Sequence, residues 1–266
     1  MKKTLLASSL ALVASFAYAE QEAQLPQTLF QNVDVFNGTE NKLYEDHFVL
    51  VEGNIITSIS AKTIDVRDDA VVIDGTGTGK TLTPGFIENH AHLMLMGPSL
   101  PTMESNTTWE DFAIHGTRMA EMYLMQGFTT VRDAGGANGG LRRAIDAGQI
   151  IGPRYYPSGA FLSTRGGHAD FANYTAPVGE ETNFSRLNMA QEVNSVAEVK
   201  KYARNNFRMG ATQLKYMQSG GVVSAFDPWQ LLAGSPEEVG AAVEVADTYG
   251  SYVMAHSYRK EAIIGH

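Results

Sequence analysis

His90 and His92 stand two residues apart at the end of the run 85–92 (GFIENHAH). If that run is a β-strand, successive side chains alternate between faces, so both imidazoles point one way and can share one metal ion. Such a pair is common by chance, and a histidine satisfied inside the core is the ordinary alternative. Position favours chemistry, because the pair closes its strand and C-terminal strand ends carry the ligand sites of parallel α/β folds. Lys215 lies mid-way along a second predicted strand, 212–217 (TQLKYM). On an edge strand its amine would reach solvent. In a buried strand a bare ammonium is costly, so the amine must be paired or chemically altered. His256 ends a third predicted strand, 252–256 (YVMAH), and taken alone reads as structural. The chain has no cysteine, which excludes disulfides, thiolate metal sites and cysteine nucleophiles together.

These residues need elements to hold them. From residue 82 onward the sequence alternates strand and helix patterns. Strands are predicted at 85–92, 128–132, 155–161, 212–217 and 252–256. Helices are predicted at 109–126, 141–147, 196–209 and from Ser235. Capping boxes open three of them, at Thr107 with Glu110, Ser195 with Glu198, and Ser235 with Glu238, the last with Pro236 at its first turn. This alternation reads as a parallel α/β fold, either an open doubly wound sheet or a (β/α)₈ barrel. Before it, over residues 20–81, short β-runs flank turns such as Gly53-Asn54 and suggest a small antiparallel β-domain. The glycine-rich run from Asp74 to Thr81 superficially resembles a phosphate-binding loop. It lacks the first glycine of that motif and precedes a strand rather than a helix, so it reads as a linker.

Composition bounds the rest. The 266 residues are 44% hydrophobic and 18% charged, enough for a sizeable core and against disorder. The net charge of -9, with no basic run, argues against a nucleic-acid partner. The N-terminus reads as a secretory signal over residues 1–19: Lys2 and Lys3, an apolar stretch from Leu5 to Phe16 too short to span a bilayer, and Ala17-Tyr18-Ala19 as cleavage site. A periplasmic protein with no membrane association after cleavage is the expectation. A homo-oligomer is compatible with it.

Five motifs together carry a resemblance. The run TPGFIENHAH ending at His92 resembles the first-strand signature of the amidohydrolase superfamily. TTVRDAGG (129–136), GGHAD (166–170), LKYMQSGG (214–221) and MAHSY (254–258) resemble, in order and spacing, its imidazolonepropionase-like branch, which includes Xaa-Pro dipeptidases (prolidases). The resemblance implies a TIM-type (β/α)₈ barrel preceded by a small β-sandwich, here as about five of eight barrel units over residues 82–266. It implies two divalent ions, zinc by expectation, held by His90, His92, His256 and a carboxylated Lys215. It further implies hydrolysis of a dipeptide or similar small amide by a metal-bridging hydroxide, with His168 and Tyr258 contacting substrate. The family pattern also includes a second histidine on strand six and a proton-shuttling aspartate on strand eight. Neither has a counterpart here, and His266 follows His256 too closely to be the first of them. The expectation is thus a C-terminally truncated member, its catalytic acid-base group unassigned and its own turnover doubtful. A one-metal hydrolase of cyclic amides or imidazolones, or a non-catalytic degenerate protein, is the alternative. Lys215 favours the two-metal dipeptidase, since one-metal members do not need the bridging lysine.

Overall fold

A computed structural model describes residues 24–96, 100–222, 224 and 226–264. The leader reading of residues 1–19, and His266, lie outside them. The described residues divide into two compact units between Pro84 and Gly85. Among them no helix is long and apolar enough to cross a membrane.

The first unit contains β1 (Gln27–Val35), β2 (Tyr44–Glu52), β3 (Ile55–Ser60), β4 (Val71–Asp74) and β5 (Thr81–Leu82). Only β1–β2 and β2–β3 pair antiparallel. Both β4 and β5 run parallel to β1, so a single mixed sheet, in the order β3-β2-β1-β4 with β5 also on β1, replaces the expected antiparallel sandwich. The cause is the length of β1. Its free edge seats β4 along Thr28–Gln31 and still has Asp34 and Val35 left for β5. The glycine-rich run connects those two strands, its first turn held by the N–H and hydroxyl of Thr76 donating to Asp74 Oδ1 at 2.8 and 2.6 Å. Val33, Val35 and Val49 form the unit's small core.

The second unit alternates as expected: β6 (Phe86–Ala91), α1 (Leu100–Asn106), α2 (Trp109–Met125), β7 (Phe128–Asp133), α3 (Gly139–Asp146), β8 (Arg154–Tyr156), β9 (Phe161–Ser163), α4 (Asn183–Arg186), β10 (Ala190–Glu192), α5 (Val196–Arg208), β11 (Leu214–Met217), α6 (Pro236–Thr248), β12 (Val253–His256) and α7 (Lys260–Ile264). Ser195 and Ser235 cap α5 and α6 by accepting from the N–H of Glu198 and Glu238, each at 3.3 Å. The cap of α2 is Thr108, one residue after the expected Thr107. Its N–H donates to Asp111 at 2.9 Å, while the Thr107 hydroxyl turns back to Met103 of α1.

Every strand pair in this unit is parallel. The strands form two sheets, β6-β7-β8 and β10-β9-β11-β12, and among the described residues neither closes into a barrel. The single strand expected at 155–161 is really two, β8 and β9, one in each sheet. Pro157 has no N–H to continue the ladder. Beyond it, the side chain of Asn206 in α5 stands in for a neighbouring strand, accepting from Ala160 N and donating to Ala160 O, both at 3.0 Å. Two cores fill the unit, the first of them bridging both sheets. One packs β6, β7 and β9 with α1, α2 and α4 around Phe112, Phe161 and Phe184. The other packs β11 with α5 and α6 around Leu214, Tyr216 and Val245.

Candidate metal-binding site

The rings of the first two histidines lie close together, as the spacing predicts, on a strand whose pairing is irregular there. Between Glu88 and Ala91 the pairing of β6 with β7 slips, so that Asn89 and His90 together oppose Arg132. This bulge resets the alternation, the usual effect of an extra residue in one strand. The rings of His90 and His92 then lie edge to face, 5.3 Å apart. His92 stands just past the strand end. Its Nδ1 meets the carbonyl of Gly135 at 3.2 Å, which places the hydrogen on Nδ1 and leaves Nε2 as a ligand atom.

Lys215 is not on an edge. β11 lies between β9 and β12, and the residue is 1% exposed. Among the described residues no carboxylate pairs with it. Burial, and then the charge of Arg132, lowers its pKa to about 8. His256, at the end of β12, has its Nε2 buried without a hydrogen-bond partner. Burial lowers His90, His92 and His256 alike, the latter two to about 4, and the charge of Lys215 lowers each of them further. Three histidines held toward the neutral form thus lie within electrostatic reach of one amine. Among the described residues no three His, Asp or Glu side chains suffice to enclose an ion. The residues nevertheless fit a metal centre, because His256 Nε2 is a buried nitrogen with no hydrogen-bond partner and a carboxylated Lys215 would contribute anionic oxygens to the group.

His168 follows β9 and stacks on His256, with ring centroids 3.8 Å apart and 13° between planes. Tyr258 is exposed, its ring edge-on to His256 at 5.1 Å. The six residues singled out from sequence are thus carried by β6, β11 and β12 or lie just beyond β6, β9 and β12. Two buried aspartates beside them were missed. Asp133, at the end of β7, accepts from Leu93 N, Gly135 N and the Tyr155 hydroxyl at 2.8–2.9 Å, tying the exit of β6 to β7 and β8. A carboxylate as the last residue of a parallel strand is a signal that sequence reading could have used. Asp227 sits in the loop after β11 and binds His168. Nothing local in the sequence marks it.

The shifts predict an acid response. His92 and His256, near 4 in the fold, return to about 6.5 on unfolding, so the unfolded chain takes up protons that the fold refuses. Their contribution is present above pH 6.5 and is lost as pH falls toward 4. Asp133 acts oppositely. Burial raises it to about 7 against its three hydrogen bonds, so its contribution is present below about 4 and lost as pH rises to 7. A comparison of variants separates the two. In metal-free protein, the drop in urea midpoint from pH 7.5 to pH 4.5 should be smaller in His256→Asn than in the unmodified chain. An equal drop would remove His256 from the account.

With this geometry in view, comparison with known proteins is specific. The sequence model of the amidohydrolase family matches residues 81–265. Ochratoxinase of Aspergillus niger is 34% identical over 151 residues, which are 53% of this chain and 31% of that protein. A crystal structure of a prolidase complexed with N-methylphosphonate-L-proline superposes with a TM-score of 0.79 at 36% identity, over 89% of this chain and 57% of that one. A Xaa-Pro dipeptidase with methionine in its active site gives 0.74 and 30%, over 90% and 58%. The chain thus spans under three fifths of the length of these relatives.

Proposed function

This chain belongs to the amidohydrolase family, and on that premise we propose that its site serves metal-dependent hydrolysis of the C–N bond in dipeptides of the Xaa-Pro type. The observation that carries the proposal is Lys215: a buried amine with no counter-ion among the described residues, near histidines held neutral. An amine reacts with carbon dioxide only when unprotonated, and a pKa near 8 gives Lys215 a larger neutral fraction at neutral pH than an ordinary lysine has. His90, His92, His256 and carboxylated Lys215 would hold two divalent ions. The ions would supply electrostatic activation of water and of the substrate carbonyl. His168 and Tyr258, beside His256, would face the substrate. The prolidase and dipeptidase likenesses support the substrate class. The imidazolone-type alternative leaves the buried lysine without a role.

Hydrolysis also needs a group to carry the proton to the leaving amine. Of the described aspartates near the site, Asp133 is held by three donors, Asp170 by the N–H groups of Gly166 and Ala172, and Asp227 is fully buried on His168 and Gly221. Turnover by this polypeptide alone is therefore expected to be slow, by about 10²–10⁴ relative to an enzyme with that group in place. The test is to load the chain with zinc and bicarbonate, measure bound metal, and assay a panel of Xaa-Pro dipeptides and cyclic amides. Two zinc ions per chain, with both metal and residual Xaa-Pro hydrolysis lost in Lys215→Ala, is the expected result. Failure to retain zinc would refute the proposal, and cleavage confined to cyclic amides would favour the alternative.

A further inference from the structure

We propose that Asp227 is a positioning residue that fixes the ring of His168, placing the hydrogen on Nδ1 and leaving Nε2 to the substrate. The proposal rests on the reading of His168 as substrate-facing and adds what holds it there. The side chain of Asp227 is fully buried. Its Oδ2 lies 2.8 Å from His168 Nδ1 and accepts from Gly221 N at 2.6 Å, while Oδ1 is buried with no partner. A buried carboxylate is an expensive group to keep, and among the described residues its one side-chain hydrogen-bond partner is the imidazole of His168. The loop is built around that contact. A Cβ on Gly221 would lie 2.1 Å from His168 Cε1, so the ring fits only because residue 221 has no side chain. Stacking on His256 restrains the ring face.

Nδ1 has a second neighbour, the hydroxyl of Ser224 at 2.7 Å. The two neighbours make different demands. A hydroxyl can donate or accept, whereas an ionised carboxylate only accepts. Asp227 therefore decides the tautomer, and Ser224 conforms to it. Nε2, at the opposite corner of the ring, has no hydrogen-bond partner among the described residues.

The experiment uses the full chain with ¹⁵N-labelled histidine, reading the tautomer from long-range ¹H–¹⁵N correlations, with His168→Gln to assign the signals. The hydrogen is expected on Nδ1 of His168 in the unmodified chain and in Ser224→Ala. Asp227→Asn, which keeps an acceptor oxygen, should retain it. In Asp227→Ala the freed Ser224 hydroxyl should donate to Nδ1, and the hydrogen should move to Nε2. A hydrogen on Nε2 in the unmodified chain, its loss from Nδ1 in Ser224→Ala, or an unchanged tautomer in Asp227→Ala would each overturn the proposal. Should Asp227→Ala not fold, the first two readouts still decide. None of them depends on turnover, so a chain that binds and hydrolyses no dipeptide would count against the hydrolase reading alone.

Discussion

Replacing Lys215 with methionine is expected to make the metal-free protein more stable while abolishing its metal site. Lysine and methionine are similar in length and unbranched, so the variant fills the same space between β9 and β12. What it removes is an ammonium that is 1% exposed and has no carboxylate partner among the described residues. The pKa of that ammonium falls from 10.5 to about 8 in the fold. A depressed lysine costs stability in full below the folded value, and the cost fades as pH rises toward the unfolded value. The methionine variant should therefore gain on the order of 3 kcal/mol at pH 7, with the gain shrinking between pH 8 and 10.5. The measurement is a pair of urea midpoints, at pH 7 and pH 10, in buffer free of bicarbonate and metal. Adding zinc and bicarbonate should reverse the ranking, because only the unmodified chain can form the carbamate and be stabilised by bound ions. A methionine variant less stable than the parent at pH 7 would mean that Lys215 has an anionic partner in the fold.

A residue that weakens the fold when alone and strengthens it when modified is a local rule broken at a functional site. The same logic explains which parts of this protein were legible. Helices α5 and α6 could be placed from their serine caps, because a cap is a local hydrogen bond between residues three apart. Lys215, His256, His168 and Tyr258 were legible through the motifs they share with the family rather than through any local pattern, whereas His90 and His92 could be paired from their spacing on one strand. The break between β8 and β9 could not be read in this way, although Pro157 hints at it. It depends on Asn206, a residue 46 positions further along, replacing the strand ladder at Ala160. The parallel placement of β4 and β5 likewise depends on the free edge of β1, which no local pattern encodes. The bulge in β6 shows how a correct inference can rest on an incomplete reason. Strict alternation put His90 and His92 on one face, and the pairing slip at Asn89 and His90 re-aims the strand end on which both stand.

Gly135→Ala should be among the costly single methyl groups added near the site, because both the backbone and the space beside it oppose a side chain. Gly135 has φ +129, a backbone conformation that residues with a Cβ rarely adopt. The added Cβ would lie 2.1 Å from Cε1 and 2.2 Å from Cδ1 of Phe161. Phe161 cannot withdraw: it is 2% exposed, and its ring packs on Phe171 and His92 at 6.2 and 5.6 Å. Backbone strain of about 1–3 kcal/mol adds to overpacking of about 1–3 kcal/mol, against a total stability of about 5–15 kcal/mol for a typical domain. The damage reaches the chemistry directly. The Gly135 carbonyl sets the tautomer of His92, and its N–H donates to Asp133 at 2.9 Å, so shifting this one peptide releases both. Gly140→Ala provides the control, because its new Cβ meets nothing closer than Arg143 Nη2 at 3.8 Å. Gly135→Ala should lower the urea midpoint sharply and weaken zinc retention, while Gly140→Ala leaves both near the parent values. Adding Phe161→Leu should recover part of the loss by removing the clash, but not the part that comes from the backbone. A Gly135→Ala chain with the parent's midpoint and zinc content would show that neither the close approach of Phe161 nor the carbonyl contact to His92 holds this site together.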